Sequence, residues 1–98
     1  MIRHILLIQF KSTVTSEQIN SVATRFRKLP DDIKGVRSVD WGENNSPEGL
    51  NKEYSHAAII TFADENAREH YLPHPQHELL KAEFVPLIED IVVFDFSV

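Results

Sequence analysis

The first and last strands of this chain are apolar on both of their faces, a demand that few folds can meet. Ile2 to Lys11 reads as a strand in which His4, Leu6, Ile8 and Phe10 share one parity and Ile5 and Leu7 the other. Ile91 to Val98 repeats the pattern, with Ile91 and Val93 on one side and Val92, Phe94, Phe96 and Val98 on the other. Side chains alternate across a strand, so helices of the same chain can cover one face and the second face needs a cover of its own. Left in water, that face would be an apolar patch of a kind monomers avoid. The simplest cover is the same sheet of an identical chain across a two-fold axis. A long hidden cavity or a different partner are the alternatives.

The intervening segments supply the helices. Thr15 followed by Gln18 forms a capping box, and Ile19, Val22, Ala23, Phe26 and Leu29 mark one face of the helix it opens. Pro30 is expected to end that helix, because the residue before a proline avoids the α region. Gly35 turns the chain into a short strand, Val36 to Gly42, and the polar stretch Glu43 to Lys52 reads as a loop. Tyr54 to Phe62 is the third strand. Asp64 caps a second helix running to about Tyr71. Pro75 suits the first turn of a third helical run carrying Leu79, Leu80, Phe84 and Leu87, which Pro86 breaks or kinks. The order is β-α-β-β-α-β, an α+β split βαβ arrangement with an antiparallel four-stranded sheet, filling residues 1–98 as one domain.

Composition removes several function classes. The net charge of −5 argues against a phosphate-binding surface, and therefore against nucleic acid. There is no cysteine, hence no disulfide framework, thiolate nucleophile or zinc ribbon, and a cytoplasmic, reducing location fits. No signal-peptide pattern precedes the first strand, and no apolar run approaches the ~20 residues a membrane span needs. Nucleotide loops, Gly-x-Gly-x-x-Gly and the nucleophile elbow are missing, so the common cofactor classes are out and none is expected, a flavin- or haem-dependent oxygenase on such a fold standing by analogy only.

The segment with chemistry in it is Tyr71-Leu72-Pro73-His74-Pro75-Gln76-His77, which sets a phenol and two imidazoles around a proline-fixed turn. Phenol and imidazole can hold, give or take a proton beside a carbonyl without a metal. The competing explanation is structural: histidines at helix termini and a core tyrosine. His74, held extended by Pro75, is expected to shape the turn rather than react. Three histidines and Asp95 also invite a metal, but no metal-ligand spacing supports one. Trp41 is expected to anchor the core or an interface.

Ile2-Arg3-His4-Ile5, Trp41-Gly42, Tyr54-Ser55-His56-Ala57, Thr61-Phe62, Phe94-Asp95-Phe96 and above all the Tyr-x-x-His-Pro-x-His segment resemble the stress-responsive α/β-barrel (Dabb) domain over essentially the whole chain. The resemblance implies a ferredoxin-like protomer and a homodimer whose two sheets close a barrel. It is also similar to the family's olivetolic acid cyclase class, which closes a ring by an aldol step without a cofactor. That similarity implies catalytic roles for Tyr71 and His77, Asp95 as the carboxylate that holds His77, and His4 and His56 as cavity histidines. Other members are stress-associated proteins with no assigned reaction, so the family does not fix a function.

Two functions therefore stand side by side. One is a cofactor-independent acid/base protein, cyclase- or lyase-like, that holds a small apolar carbonyl or phenolic compound between sheet and helices. Its expected walls are Leu6, Ile8, Ala58 and Ile60, with His4 and His56 as polar contacts. The other is a stable dimeric stress protein in which the Tyr/His/Asp cluster is structural. An enclosed cavity beside His77 would favour the first.

Overall fold

The computed structural model describes residues 1–98. Strands β1 (Ile2–Phe10), β2 (Val36–Glu43), β3 (His56–Phe62) and β4 (Ile88–Ser97) form one antiparallel sheet in the order β2-β3-β1-β4. Helices α1 (Ser16–Asp32), α2 (Glu65–Tyr71) and α3 (Pro75–Phe84) complete the chain. The expected element order and four-stranded antiparallel sheet are present, in a ferredoxin-like arrangement.

Local chemistry places each helix start. Thr15 Oγ1 accepts from the Gln18 backbone N–H at 3.2 Å, while the Gln18 side chain accepts from the Thr15 N–H at 2.9 Å. Asp64 caps α2 by accepting from the Ala67 N–H at 2.8 Å. His74 caps α3: its Nδ1 accepts from the Gln76 N–H at 3.1 Å, with Pro75 in the first turn. Gly35 turns α1 into β2 at φ +94, and a Cβ there would stand 2.6 Å from the Ala67 Cβ. Only glycine meets both conditions comfortably.

Three boundaries differ from expectation. Pro30 lies inside α1, which runs on to Asp32. In the last turn a missing N–H costs one bond only, and the Ile33 N–H still closes on the Leu29 carbonyl at 2.9 Å. β3 begins at His56, two residues later than expected. β4 begins at Ile88, directly after a 3₁₀ turn over Val85–Leu87 at Pro86, with a register irregularity opposite Gln9 and Phe10.

The sheet separates its two faces cleanly. Ile2, Leu6 and Ile8 of β1 and Ala58, Ile60 and Phe62 of β3 are buried beneath the helices with Val22, Phe26, Leu29, Ile33, Leu80 and Phe84. Trp41 packs on this core, its ring 5.3 Å from that of Phe26. The register sets Ile5 between Ile59 and Phe94, and Leu7 between Ala57 and Val92, all on the opposite face. That face is bare of helices: Phe94 is 61% exposed, Phe96 44% and Leu7 38%. The helices thus account for the apolar character of one face of β1 and for Ile91 of β4, Val93 staying exposed at that edge, while the other face stays open.

Candidate functional site

A cavity of about 420 Å³ opens between the sheet and the helices. Its apolar walls are Leu6 of β1, Phe26 of α1, Leu80 and Phe84 of α3, Val85, and Ile88 and Ile91 of β4. Three aromatic groups with polar atoms reach it: His4 from β1, Tyr71 from the end of α2 and His77 from α3. Lys81, Glu89 and Asp90 supply the remaining polar lining.

Tyr71 and His77 are brought together by the Pro73-His74-Pro75 turn. Their rings stack with centroids 4.1 Å apart and planes 31° apart. Tyr71 is buried, and burial alone pushes its phenol well above the ordinary value of 10. It is therefore a neutral hydrogen-bond donor at any ordinary pH. Its hydroxyl has no partner within the chain, and no sealed-off side-chain nitrogen or oxygen lacks one, so the hydroxyl opens to the cavity.

His77 is oriented by the backbone. Its Nδ1 stands 2.8 Å from the Leu72 carbonyl, which can only accept, so Nδ1 carries the proton and Nε2 keeps its lone pair. Burial lowers its pKa below 6.5, outweighing the Leu72 carbonyl, which pulls it upward; nearby Lys81 lowers it further. Neutral His77 is thus a proton acceptor through Nε2.

Asp95 does not hold His77, contrary to expectation. Its Oδ1 accepts from His4 Nδ1 at 2.6 Å and its Oδ2 from Arg68 Nη1 at 3.1 Å. The cause is register: His4 and Asp95 are direct cross-strand neighbours of β1 and β4. The sequence held a signal for this, since pairing the antiparallel strands with Ile8 opposite Ile91 places His4 opposite Asp95. Arg68 was missed altogether. It lies three residues before Tyr71 on α2, and that i,i+3 spacing was the available clue.

The other expected wall residues fall elsewhere. Leu6 lines the cavity, but Ile8, Ala58 and Ile60 are fully buried in the core and do not. Each shares the face of Leu6 but lies where side chains fill the space completely. His56 shares that face too, yet stands apart at the far end of β3. Its Nδ1 is hydrogen-bonded to Ser55 Oγ at 2.7 Å and its ring packs on Phe10 and Trp41.

A ferredoxin-like α+β domain with a polar-tipped apolar cavity between sheet and helices is the class that this geometry defines. The sequence profile of the stress responsive A/B barrel domain matches residues 2–98, and the chain belongs to that family. The chain is 28% identical over 96 residues to the stress-response A/B barrel domain-containing protein HS1 of Arabidopsis thaliana, covering 98% of this chain and 88% of that protein. It is 22% identical over 96 residues to olivetolic acid cyclase of Cannabis sativa, covering 98% and 95%. Among solved structures, a protein of Thermobifida fusca, described as a dimeric ferredoxin-like protein of unknown function, superposes with a TM-score of 0.84 at 29% identity, covering 99% of this chain and 90% of that one.

Proposed function

We propose that the cavity binds a small, largely apolar carbonyl or phenolic compound and can move a proton on it without a cofactor. The observation that carries this is the pairing, in one cavity, of a donor that burial holds protonated with an acceptor that burial favours as neutral: the Tyr71 hydroxyl and His77 Nε2. An apolar body is held by Leu6, Leu80, Phe84 and Ile91, and few polar groups fix its orientation. Tyr71 donates to a carbonyl or phenol oxygen as charge develops there. His77 takes a proton from the adjacent carbon or hydroxyl. Asp95 acts behind His4 rather than behind His77. The likeness to olivetolic acid cyclase supports this class of chemistry.

The test compares wild type, Tyr71→Phe and His77→Ala for binding and turnover of polyketide-like β-ketones. Loss of turnover in both variants at unchanged melting temperature is the expected result. If no such compound binds and both variants merely melt earlier, the cluster is structural. One observation favours that second reading: the Tyr71–His77 stack and the His77–Leu72 hydrogen bond also tie α2 to α3.

The open sheet face is proposed to pair with that of a second copy, closing a homodimeric α/β barrel. The dimeric description of the Thermobifida fusca relative supports it. No helix is long and apolar enough to cross a membrane. The cysteine-free composition suits the cytoplasm.

A further inference from the structure

We propose that Arg68 and Asp95 are positioning residues that present His4 to the same cavity as a second proton acceptor, so that the ligand is held as its anion. The inference rests on the cavity being a ligand site.

The geometry is that of a relay. Asp95 Oδ1 takes the His4 Nδ1–H at 2.6 Å, which leaves Nε2 as the nitrogen free for a ligand. The His4 ring lies 5.9 Å from Phe62 and 6.3 Å from Tyr71, centroid to centroid, the latter edge-on, so its plane is set by packing as well as by the carboxylate. Arg68 occupies the second oxygen of Asp95 at 3.1 Å and leaves the carboxylate one orientation. A carboxylate behind one ring nitrogen fixes the tautomer and compensates the charge that appears when the other nitrogen accepts a proton. The charged and titratable groups around His4 are Asp95 from β4, which it touches, Arg68 from α2 behind that carboxylate, Tyr71 from α2 and His77 from α3.

This arrangement selects the ligand. A compound with a weakly acidic hydroxyl, a phenol or the enol of a β-dicarbonyl, transfers its O–H proton to His4 Nε2. The products are an imidazolium backed by Asp95 and a bound phenolate or enolate that accepts from Tyr71. No other bond changes. An unactivated ketone or an alkane-like ligand gains nothing from the relay.

The probe is 4-nitrophenol, whose phenolate absorbs differently from the phenol, titrated below its own ionisation into wild type, Asp95→Asn, Arg68→Gln and Arg68→Lys. The His4 tautomer is read in parallel from ring nitrogen shifts by NMR. Wild type should show the Nδ1–H form without ligand and should bind 4-nitrophenol as the phenolate. In Asp95→Asn the amide oxygen turns to Arg68 and the amide N–H₂ faces His4, which moves the ring proton to Nε2. The ratio of bound phenolate to bound phenol should then fall about 10-fold. Arg68→Gln should fall in the same direction and Arg68→Lys should recover most of it, which a purely structural role would not produce. Neutral phenol in the wild-type complex, or a phenolate band indifferent to Asp95 and Arg68, overturns the proposal. If 4-nitrophenol does not bind, the ligand-site reading fails separately. The tautomer then decides the relay: an Nδ1–H form lost in Asp95→Asn supports it, and a form unchanged there overturns it.

Discussion

Tyr71 and His77 touch each other, yet burial moves them in opposite senses because their charged forms differ. The phenolate is the charged form of one, and the imidazolium is the charged form of the other, and a poorly solvated site disfavours both. The consequences for stability follow. With its folded-state pKa raised, Tyr71 contributes stability that is fully present below pH 10 and lost as pH rises above it, because the unfolded chain ionises first. With its folded-state pKa lowered, His77 weakens the fold as pH falls below 6.5, where the unfolded state binds its proton more readily. Melting curves from neutral to alkaline pH should therefore drop more steeply for wild type than for Tyr71→Phe. Between pH 7 and 5, wild type should lose more stability than His77→Gln. Parallel curves in either comparison would show that the side chain is not buried against its charge. At this scale the sequence told much about Tyr71 and His77, because the proline-fixed turn is local. It told less about Asp95, whose partners lie at |i−j| of 91 and 27 and depend on which strands pair.

The elements were legible wherever their ends are written in short motifs. Thr15 with Gln18, Asp64, and Pro75 behind His74 each announce a helix start through a hydrogen bond that spans two or three residues. Helix ends were harder. Pro30 forbids one bond without forbidding the turn that follows, so its meaning depends on whether the next carbonyl finds a donor, and here Leu29 does. Gly35 is the element-scale residue with the sharpest consequence. Gly35→Ala must hold φ near +94 and meet Ala67 at 2.6 Å, costing about 1–3 kcal/mol by chemical denaturation. Adding Ala67→Gly removes the overlap and leaves the backbone strain, so the double variant should recover part of the loss. Full recovery would mean that the dihedral carries no strain. His74→Ala should cost about 1 kcal/mol through the lost cap, with His74→Asn close to wild type, since asparagine also accepts from the first turn.

For the whole molecule, the decisive fact is that one sheet face is spent on the core and the other is still open. Ile5, Leu7, Ile59, Val92 and Phe94 share the open face by register, and Phe96 extends it. Arg3 crosses it to donate to Thr61 at 2.8 Å, which keeps the nearby polar groups satisfied if the face is covered. A standard interface buries about 800 Å² per partner, and at ~25 cal/mol/Å² its apolar share grosses on the order of 10 kcal/mol before association costs. Association costs remove much of that gross figure, so the dimer has little to spare. It would not survive a charge at its centre, because a carboxylate removed from water without a partner costs several kcal/mol. Leu7, exposed in the single chain, is the discriminating site: Leu7→Asp leaves the helix-side core untouched, so the monomer should keep its circular dichroism while sedimentation shows half the mass of wild type. A wild type that sediments as a monomer of 11.3 kDa, or a Leu7→Asp variant of unchanged mass, would remove the barrel and leave the open face without a partner.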